Sequence, residues 1–386
     1  MTDEQKVADL RRKLPATARY AYLNTGTTGP LPEPAHRALS AAWAEELDAG
    51  RIGPGRHDAT VAAMDAARSA LATVVRADPR SVTITQRTND GLNIAVWGLP
   101  WQPGDEVVTT NLEHPAGLLP VYAAARRFGL VVRFADVTGP DPTAALVAQM
   151  NARTRLLLLS HASYLTGVLL PLADIVAAAH ARGVLVAADG AQTAGAVPLD
   201  VGASGVDFYA LPGQKWLLGP EGTGGLFVRP DLYSVVAPTF VGYRSAASFD
   251  QAGNWVPHAT GARYEVGSFF APTLVALAQS VEFVAAAGWD WVFHRIRQLA
   301  ADTREQLLSI PGVTVLTPPE RHAGLVAFRV AGQDSAAVVT ALARAGYVVR
   351  TVPLLPPAVR VSCGFYNTEA ELAGLVAEVR KLAAQA

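Results

Sequence analysis

The chain is expected to fold as an α/β protein, with a mostly parallel sheet covered by helices and a smaller α+β unit behind it. Three observations lead there. Runs rich in Val, Leu and Ala around 131–135, 155–160, 184–189 and 207–211 are mostly apolar, as strands buried on two sides must be. Segments with apolar residues at helical spacing alternate with them, the pattern of βαβ units. After residue 235 the composition changes, which points to a second unit. We place the large domain at 20–255 and build the small domain from 1–19 and 256–386.

In chain order, residues 3–14 read as a short amphipathic helix. Residues 22–30 form a turn-rich loop, and helices follow at 33–50 and 58–77. Ser81–Thr85 is rich in β-branched residues and reads as a strand, followed by Gln86-Arg87-Thr88-Asn89-Asp90-Gly91 and a helix. Strands at Glu106–Thr110, Val131–Ala135, Arg155–Ser160 and Val184–Asp189 then alternate with helices near 115–128, 142–151 and 172–182. Two more strands come at Asp207–Leu211 and Gly225–Val228. The Gly-, Ser- and Pro-rich stretch 236–262 reads as a long loop. Residues 268–308 are predominantly helical, with a break near Gly288. The remainder reads helix, strand Gly324–Val330, helix Ser335–Ala345, strands Tyr347–Thr351 and Ala358–Ser362, and helix Thr368–Ala384. Internal repeats and low-complexity tails are absent.

The 386 residues, half of them hydrophobic and 17% charged, suffice for a large core. The net charge of −1, with scattered basic residues, offers no field for a nucleic acid. One cysteine, Cys363, excludes an intramolecular disulfide framework and thiolate-rich metal sites. There is no His-Glu-x-x-His or Walker loop, so no metal site is expected. The polar N-terminus and the lack of any apolar run of about 18 residues argue for no membrane partner and a cytoplasmic location.

Chemistry gathers at the carboxyl ends of the strands, where open α/β sheets bind ligands. Asp189 ends one strand, in Asp189-Gly190-Ala191-Gln192. Lys215 lies just past another, in Pro212-Gly213-Gln214-Lys215-Trp216. Thr88 and Asn89 open the helix after a third, where free N–H groups and the helix dipole favour a phosphate. His114 follows a fourth. An acid for a pyridine nitrogen and an amine for an aldehyde are what a pyridoxal phosphate (PLP) site needs. Ser160-His161 with Asp189 could be drawn as a hydrolase triad, but no nucleophile elbow surrounds the serine.

Several stretches then carry a resemblance: Trp97-Gly98-Leu99, Glu113-His114-Pro115, Asp189-Gly190-Ala191-Gln192, Gly213-x-Lys215-Trp216, Val241-Gly242-Tyr243-Arg244-Ser245, and Arg350-Thr351 followed by Val359-Arg360. Through them the chain resembles the class V aminotransferases. This is the PLP fold-type I group that includes cysteine desulfurases, isopenicillin N epimerases and C–S lyases, and the C–S lyases are the best match. The resemblance covers nearly the whole chain. It implies a seven-stranded, mostly parallel sheet and PLP as cofactor. Lys215 would hold the cofactor and move the Cα proton. Asp189 would pair with the pyridine nitrogen, His114 would stack on the ring, and Gln192 would bond the phenolic oxygen. Thr88, Asn89 and Gln214 would hold the phosphate. Ser268 would reach the phosphate of a neighbouring subunit, which implies a homodimer with shared sites. Arg360 would grip the substrate carboxylate, with Asn24, Arg350 and Arg244 as further contacts to a small amino-acid substrate.

Three departures from the family pattern stand out. Pro212 and Gln214 occupy places that usually hold a hydroxyl residue and a histidine. An asparagine common in desulfurases is replaced within Tyr164-Leu165-Thr166-Gly167. No cysteine lies between His322 and Arg360, where desulfurases keep their nucleophile. The expected reaction is therefore β-elimination on L-cysteine, cystine or a cysteine S-conjugate, giving pyruvate, ammonia and a sulfur product. Epimerisation, transamination, a desulfurase-like protein without its cysteine, and a binding protein that has lost catalysis are the alternatives.

Overall fold

The computed structural model describes residues 2–385. Its largest sheet has seven strands: Val82–Thr85 (β1), Glu106–Thr110 (β2), Val131–Ala135 (β3), Thr154–Ser160 (β4), Leu185–Asp189 (β5), Phe208–Pro212 (β6) and Gly224–Val228 (β7). They lie in the order β1-β7-β6-β5-β4-β2-β3. All neighbours are parallel except at β7, which runs antiparallel to β1 and β6.

The apolar runs are continuous because both faces are covered. Leu156 and Leu158 of β4 pack into a core with Leu92, Ala95 and Val121, while Leu157 and Leu159 pack on the other face with Leu71, Leu274 and Leu277. Successive residues of a strand point to opposite faces, so a strand in this position needs apolar residues throughout.

A second sheet holds Val313–Val315 (β8), Leu325–Val330 (β9), Arg350–Val352 (β10) and Ala358–Ser362 (β11), in the antiparallel order β8-β9-β11-β10. Val326, Phe328, Val359, Val361 and Cys363 form its core with Leu299, Leu372 and Val376. The chain start joins this unit, since Ala21–Tyr22 pairs with Tyr347–Val348.

Helix Ala271–Ala286 buries Leu274, Leu277 and Val281 in the large-sheet core. The structure corrects three details. The loop expected at 236–262 contains a hairpin, Ala246–Phe249 with Trp255–Pro257, closed where Asn254 Nδ2 donates to Asp250 Oδ2 at 2.7 Å. The helix expected to reach 151 stops at Val147. The strand expected at 347–351 is two separate pairings, one to the chain start and one to β11. The break near Gly288 is present: its φ of +82° separates two helices bent by 78°. Among the described residues, no single helix is long and apolar enough to cross a membrane, and no cluster of three metal-ligating side chains forms.

Candidate active site

A cavity of about 230 Å³ opens at the carboxyl ends of β2, β4, β5 and β6 and is closed on its far side by the second sheet. Thr88, Asn89, His114, Asp189, Gln192, Gln214, Lys215, Arg350 and Arg360 all line it.

Local structure explains each placement. Asp189 ends β5 and is buried, with Oδ1 accepting from Ala191 N at 2.8 Å. Burial raises its pKa and Lys215 opposes the rise. Lys215 sits in the turn after β6, which leaves no room for a side chain at Gly213 or at Gly29, packed against it. A Cβ on Gly213 would lie 2.1 Å from Thr223 Oγ1, and one on Gly29 would lie 2.4 Å from Lys215 O. Burial pushes the Lys215 amine down to about 8; Asp189 opposes this, and Arg360 and Arg350 add to it. A fraction of the amine is therefore neutral near neutral pH.

His114 caps helix Pro115–Phe128, its Nδ1 accepting from Ala116 N at 3.0 Å. The proton of the neutral ring thus sits on Nε2. Burial, then the charges of Lys215, Arg350 and Arg360, hold its pKa down to about 4. Gln192 is locked at both ends, with Oε1 accepting from Trp216 Nε1 at 3.1 Å and Nε2 donating to Gly26 O at 2.8 Å, which leaves one amide N–H. Helix Thr88–Trp97 starts without a side-chain cap, so the N–H groups of Thr88 and Asn89 are available to an anion, while Asp90 N donates to Arg87 O at 3.2 Å. Gln214 Oε1 is buried without a partner. Turning the amide over would aim its N–H donors there instead.

Arg350 and Arg360 come from the second sheet, directly opposite each other on β10 and β11. Like charges in that register repel. Arg360 is 1% exposed, and its Nε has no partner. Its Nη1 donates to Tyr164 O at 3.1 Å, and its Nη2 to Thr27 Oγ1 at 3.0 Å and to Asn24 Oδ1 at 3.4 Å. Burial and Arg350 push its pKa down to about 9. The pair has the character of a site awaiting a carboxylate.

Asn24 stands one step behind the wall, accepting from Thr27 Oγ1 at 2.7 Å as well as from Arg360. Ser268 and Arg244 are outside this cavity within one chain. Ser268 Oγ lies 2.8 Å from Tyr243 OH on an exposed face, and Arg244 lines a separate hollow with His57 and His258. Pro212 ends β6 and has neither N–H nor hydroxyl for an anion.

Sequence reasoning missed Ser160, Tyr164 and Thr27 as lining residues, and Glu113 behind them. Glu113 is buried and accepts from Thr110 Oγ1 at 2.6 Å, Ser160 N at 2.9 Å and Ser160 Oγ at 2.7 Å. It ties the end of β2 to the end of β4. The Glu113-His114-Pro115 stretch carries a signal for the acid as well as for the histidine.

The donor set suits PLP: an amine facing a carboxylate, a helix start for a phosphate, an imidazole on the cavity wall, and two cations for a carboxylate. Comparison with known proteins agrees. Residues 21–375 match the family model "Aminotransferase class-V". The chain is 32% identical to the isopenicillin N epimerase of Streptomyces clavuligerus over 91% of its length and 92% of that protein's. It is 28% identical to a probable cysteine desulfurase of Methanothermobacter thermautotrophicus, over 95% and 96% of the two chains. The solved structure of the cystine C–S lyase C-DES with its reaction product cysteine persulfide superposes with a TM-score of 0.91, at 32% identity and with 95% and 99% covered. A companion structure is a C-DES variant with glycine covalently linked to its PLP cofactor. The chain belongs to the class V aminotransferase family.

Proposed function

We propose that the chain is a cytoplasmic, PLP-dependent C–S lyase that eliminates sulfur from Cβ of L-cysteine, L-cystine or a cysteine S-conjugate. Pyruvate, ammonia and a sulfur product result. The observation that carries this reading is the Lys215 amine facing Asp189 across a cavity whose opposite wall holds Arg360, while the chain's one cysteine is locked elsewhere. Cys363 is fully buried and its pKa is pushed up to about 12, chiefly by burial, so it is no nucleophile.

Bound PLP withdraws electrons from Cα of the attached amino acid. The chain's residues do the rest. Asp189, fixed by Ala191 N, would pair with the pyridine nitrogen, and His114, neutral, would cover the ring. The N–H groups of Thr88 and Asn89 and the amide of Gln214 would hold the phosphate, and the free N–H of Gln192 would meet the phenolic oxygen. Arg360 binds the substrate carboxylate through its unpartnered Nε. Lys215 would hold the cofactor and, as a neutral amine, would take the Cα proton. Arg350 adds a second cation, which favours a substrate with two carboxylates, and cystine has two.

A second copy of the chain completes the assembly in this reading. Trp43, Phe240, Tyr243, Val266 and Phe270 are exposed, and Trp43 meets Phe270 edge-on at 5.5 Å. An apolar face of this kind marks an interface, and it carries Ser268 beside Tyr243, toward the phosphate of the neighbouring copy.

The test is incubation of PLP-loaded protein with L-cysteine, L-cystine and several S-conjugates, measuring sulfide, persulfide, pyruvate and substrate chirality together. Pyruvate with released sulfur is expected. Racemised substrate without pyruvate would replace this reading by epimerisation, and a pyridoxamine form by transamination. Borohydride reduction should attach the cofactor to wild-type Lys215 and leave Lys215→Ala unlabelled.

A further inference from the structure

Tyr164 has no role in the reading above, yet it is held in the cavity with unusual firmness. The turn that presents it is closed by Gly167 N donating to Ser163 O at 2.9 Å and Ser163 N donating to Val168 O at 2.9 Å. Gly167 has a φ of +78°, and a Cβ there would stand 2.6 Å from Leu325 O of the second sheet. Thr317 Oγ1, also from that unit, donates to Thr166 O at 2.6 Å. The turn is therefore clamped between the two units.

The residue itself faces three site groups. Its ring meets His114 edge-on, with centroids 4.6 Å apart and planes at 75°. Its carbonyl accepts from Arg360 Nη1 at 3.1 Å. Its hydroxyl makes no hydrogen bond within the protein, although the residue lines the cavity. Burial raises the phenol's pKa, and Arg350, then Arg360, act against the rise. The hydroxyl is thus a donor without a protein partner, on a residue that lines the same cavity as Arg350 and Arg360. Arg350 spends Nε on Thr351 O and Nη1 on Thr27 Oγ1, which leaves Nη2 without a protein partner.

We infer that the Tyr164 hydroxyl and Arg350 together form a second carboxylate subsite, in which Tyr164 is the specificity-determining donor. The subsite would take the distal carboxylate of an amino acid whose first carboxylate lies on Arg360. This rests on the proposed reading for the identity of the substrate, though not for the existence of the subsite. It would make the enzyme select a dicarboxylic disulfide over a monocarboxylic thiol, since a hydroxyl placed to bond one group discriminates against substrates that lack it.

Tyr164→Phe removes only the oxygen and keeps the ring against His114, so folding is not at stake. Calorimetric titration of PLP-loaded protein with adipate and with butyrate tests the subsite without turnover. Wild type should bind adipate more tightly. Tyr164→Phe should weaken adipate roughly tenfold and butyrate less than about twofold, the loss expected for a hydrogen bond to a charged group. Arg350→Met should give the same selectivity change. Equal effects on the two acids, or none, would overturn the inference. In the kinetic arm, kcat/KM for L-cystine should fall roughly tenfold in Tyr164→Phe while that for L-cysteine stays within about twofold. Failure of the wild type to turn over either compound would count against the C–S lyase reading alone, because the adipate titration still decides the subsite.

Discussion

Replacing Arg360 by methionine separates folding from binding. Arg360 is 1% exposed, and burial with the neighbouring Arg350 cation takes its pKa from the ordinary guanidinium range down to about 9. That lowering corresponds to roughly 5 kcal/mol of unfavourable interaction in the charged form. Three hydrogen bonds, to Tyr164 O, Thr27 Oγ1 and Asn24 Oδ1, offset it at about 1 kcal/mol each. The ligand-free protein therefore holds a guanidinium at a net cost, and methionine of similar length should leave stability unchanged or raise it by about 2 kcal/mol. The sign with pH is fixed. The pKa of this base is lowered by folding, so the cost is fully present below about pH 9 and fades above it. The gap between Arg360→Met and wild type should then close as the pH rises past 9. Binding moves the opposite way. Loss of the Nε contact to a carboxylate, at about 1.5–3 kcal/mol for a charged hydrogen bond, should lower kcat/KM by roughly ten- to a hundredfold. Urea melts of both proteins without substrate, together with steady-state kinetics, measure the two effects. A variant destabilised by more than about 2 kcal/mol, or one whose kcat/KM stays within tenfold of wild type, would refute the reasoning.

Other residues give sharp expectations. In cofactor-free protein, acylation of Lys215 by an amine reagent should titrate with a midpoint near 8. Asp189→Asn should move that midpoint lower, since Asp189 is the group that holds the proton on the amine; a midpoint that rises would contradict the pairing. Glu113→Ala strands the Ser160 N–H and the Thr110 and Ser160 hydroxyls and should cost about 2–4 kcal/mol in a urea melt. Glu113→Gln, which keeps three contacts with the Ser160 hydroxyl reversed, should stay within about 1 kcal/mol of wild type. Burial pushes the Glu113 carboxyl up to about 7, so wild-type stability should decline as the pH rises through 7, and Glu113→Gln should lose that slope. Cys363→Ala should lower stability by about 1 kcal/mol through the small cavity it leaves, with kcat within twofold of wild type; a large loss of sulfur release would revive a thiol mechanism.

What could be read from the chain alone follows from where each residue's position is decided. Asp189, Lys215, His114 and Thr88 lie at or just beyond the carboxyl ends of strands, and those strands announce themselves either as apolar runs or, for Val82–Thr85 and Glu106–Thr110, by their β-branched residues. Their convergence is thus a consequence of local pattern plus sheet topology, and the cavity gathers all four. Tyr164 and Thr27 belong to loops whose shape is set by the second unit, through Thr317, Leu325 and Arg360, so the signals beside them, Asn24 and the Tyr164–Gly167 stretch, do not say which side chain lines the cavity. Short pairings such as Ala21–Tyr22 with Tyr347–Val348 exist only because distant segments meet. Arg350 and Arg360 fall between these cases. Each is an ordinary strand residue alone, and their function becomes visible only in the register that sets two cations opposite one another without an acid between them. Such a repulsive pair is destabilising in the free protein. A fold that keeps it gains from the pair only when an anion arrives, which is why the strain at Arg360 and the substrate's charge are best treated as one quantity measured in two states.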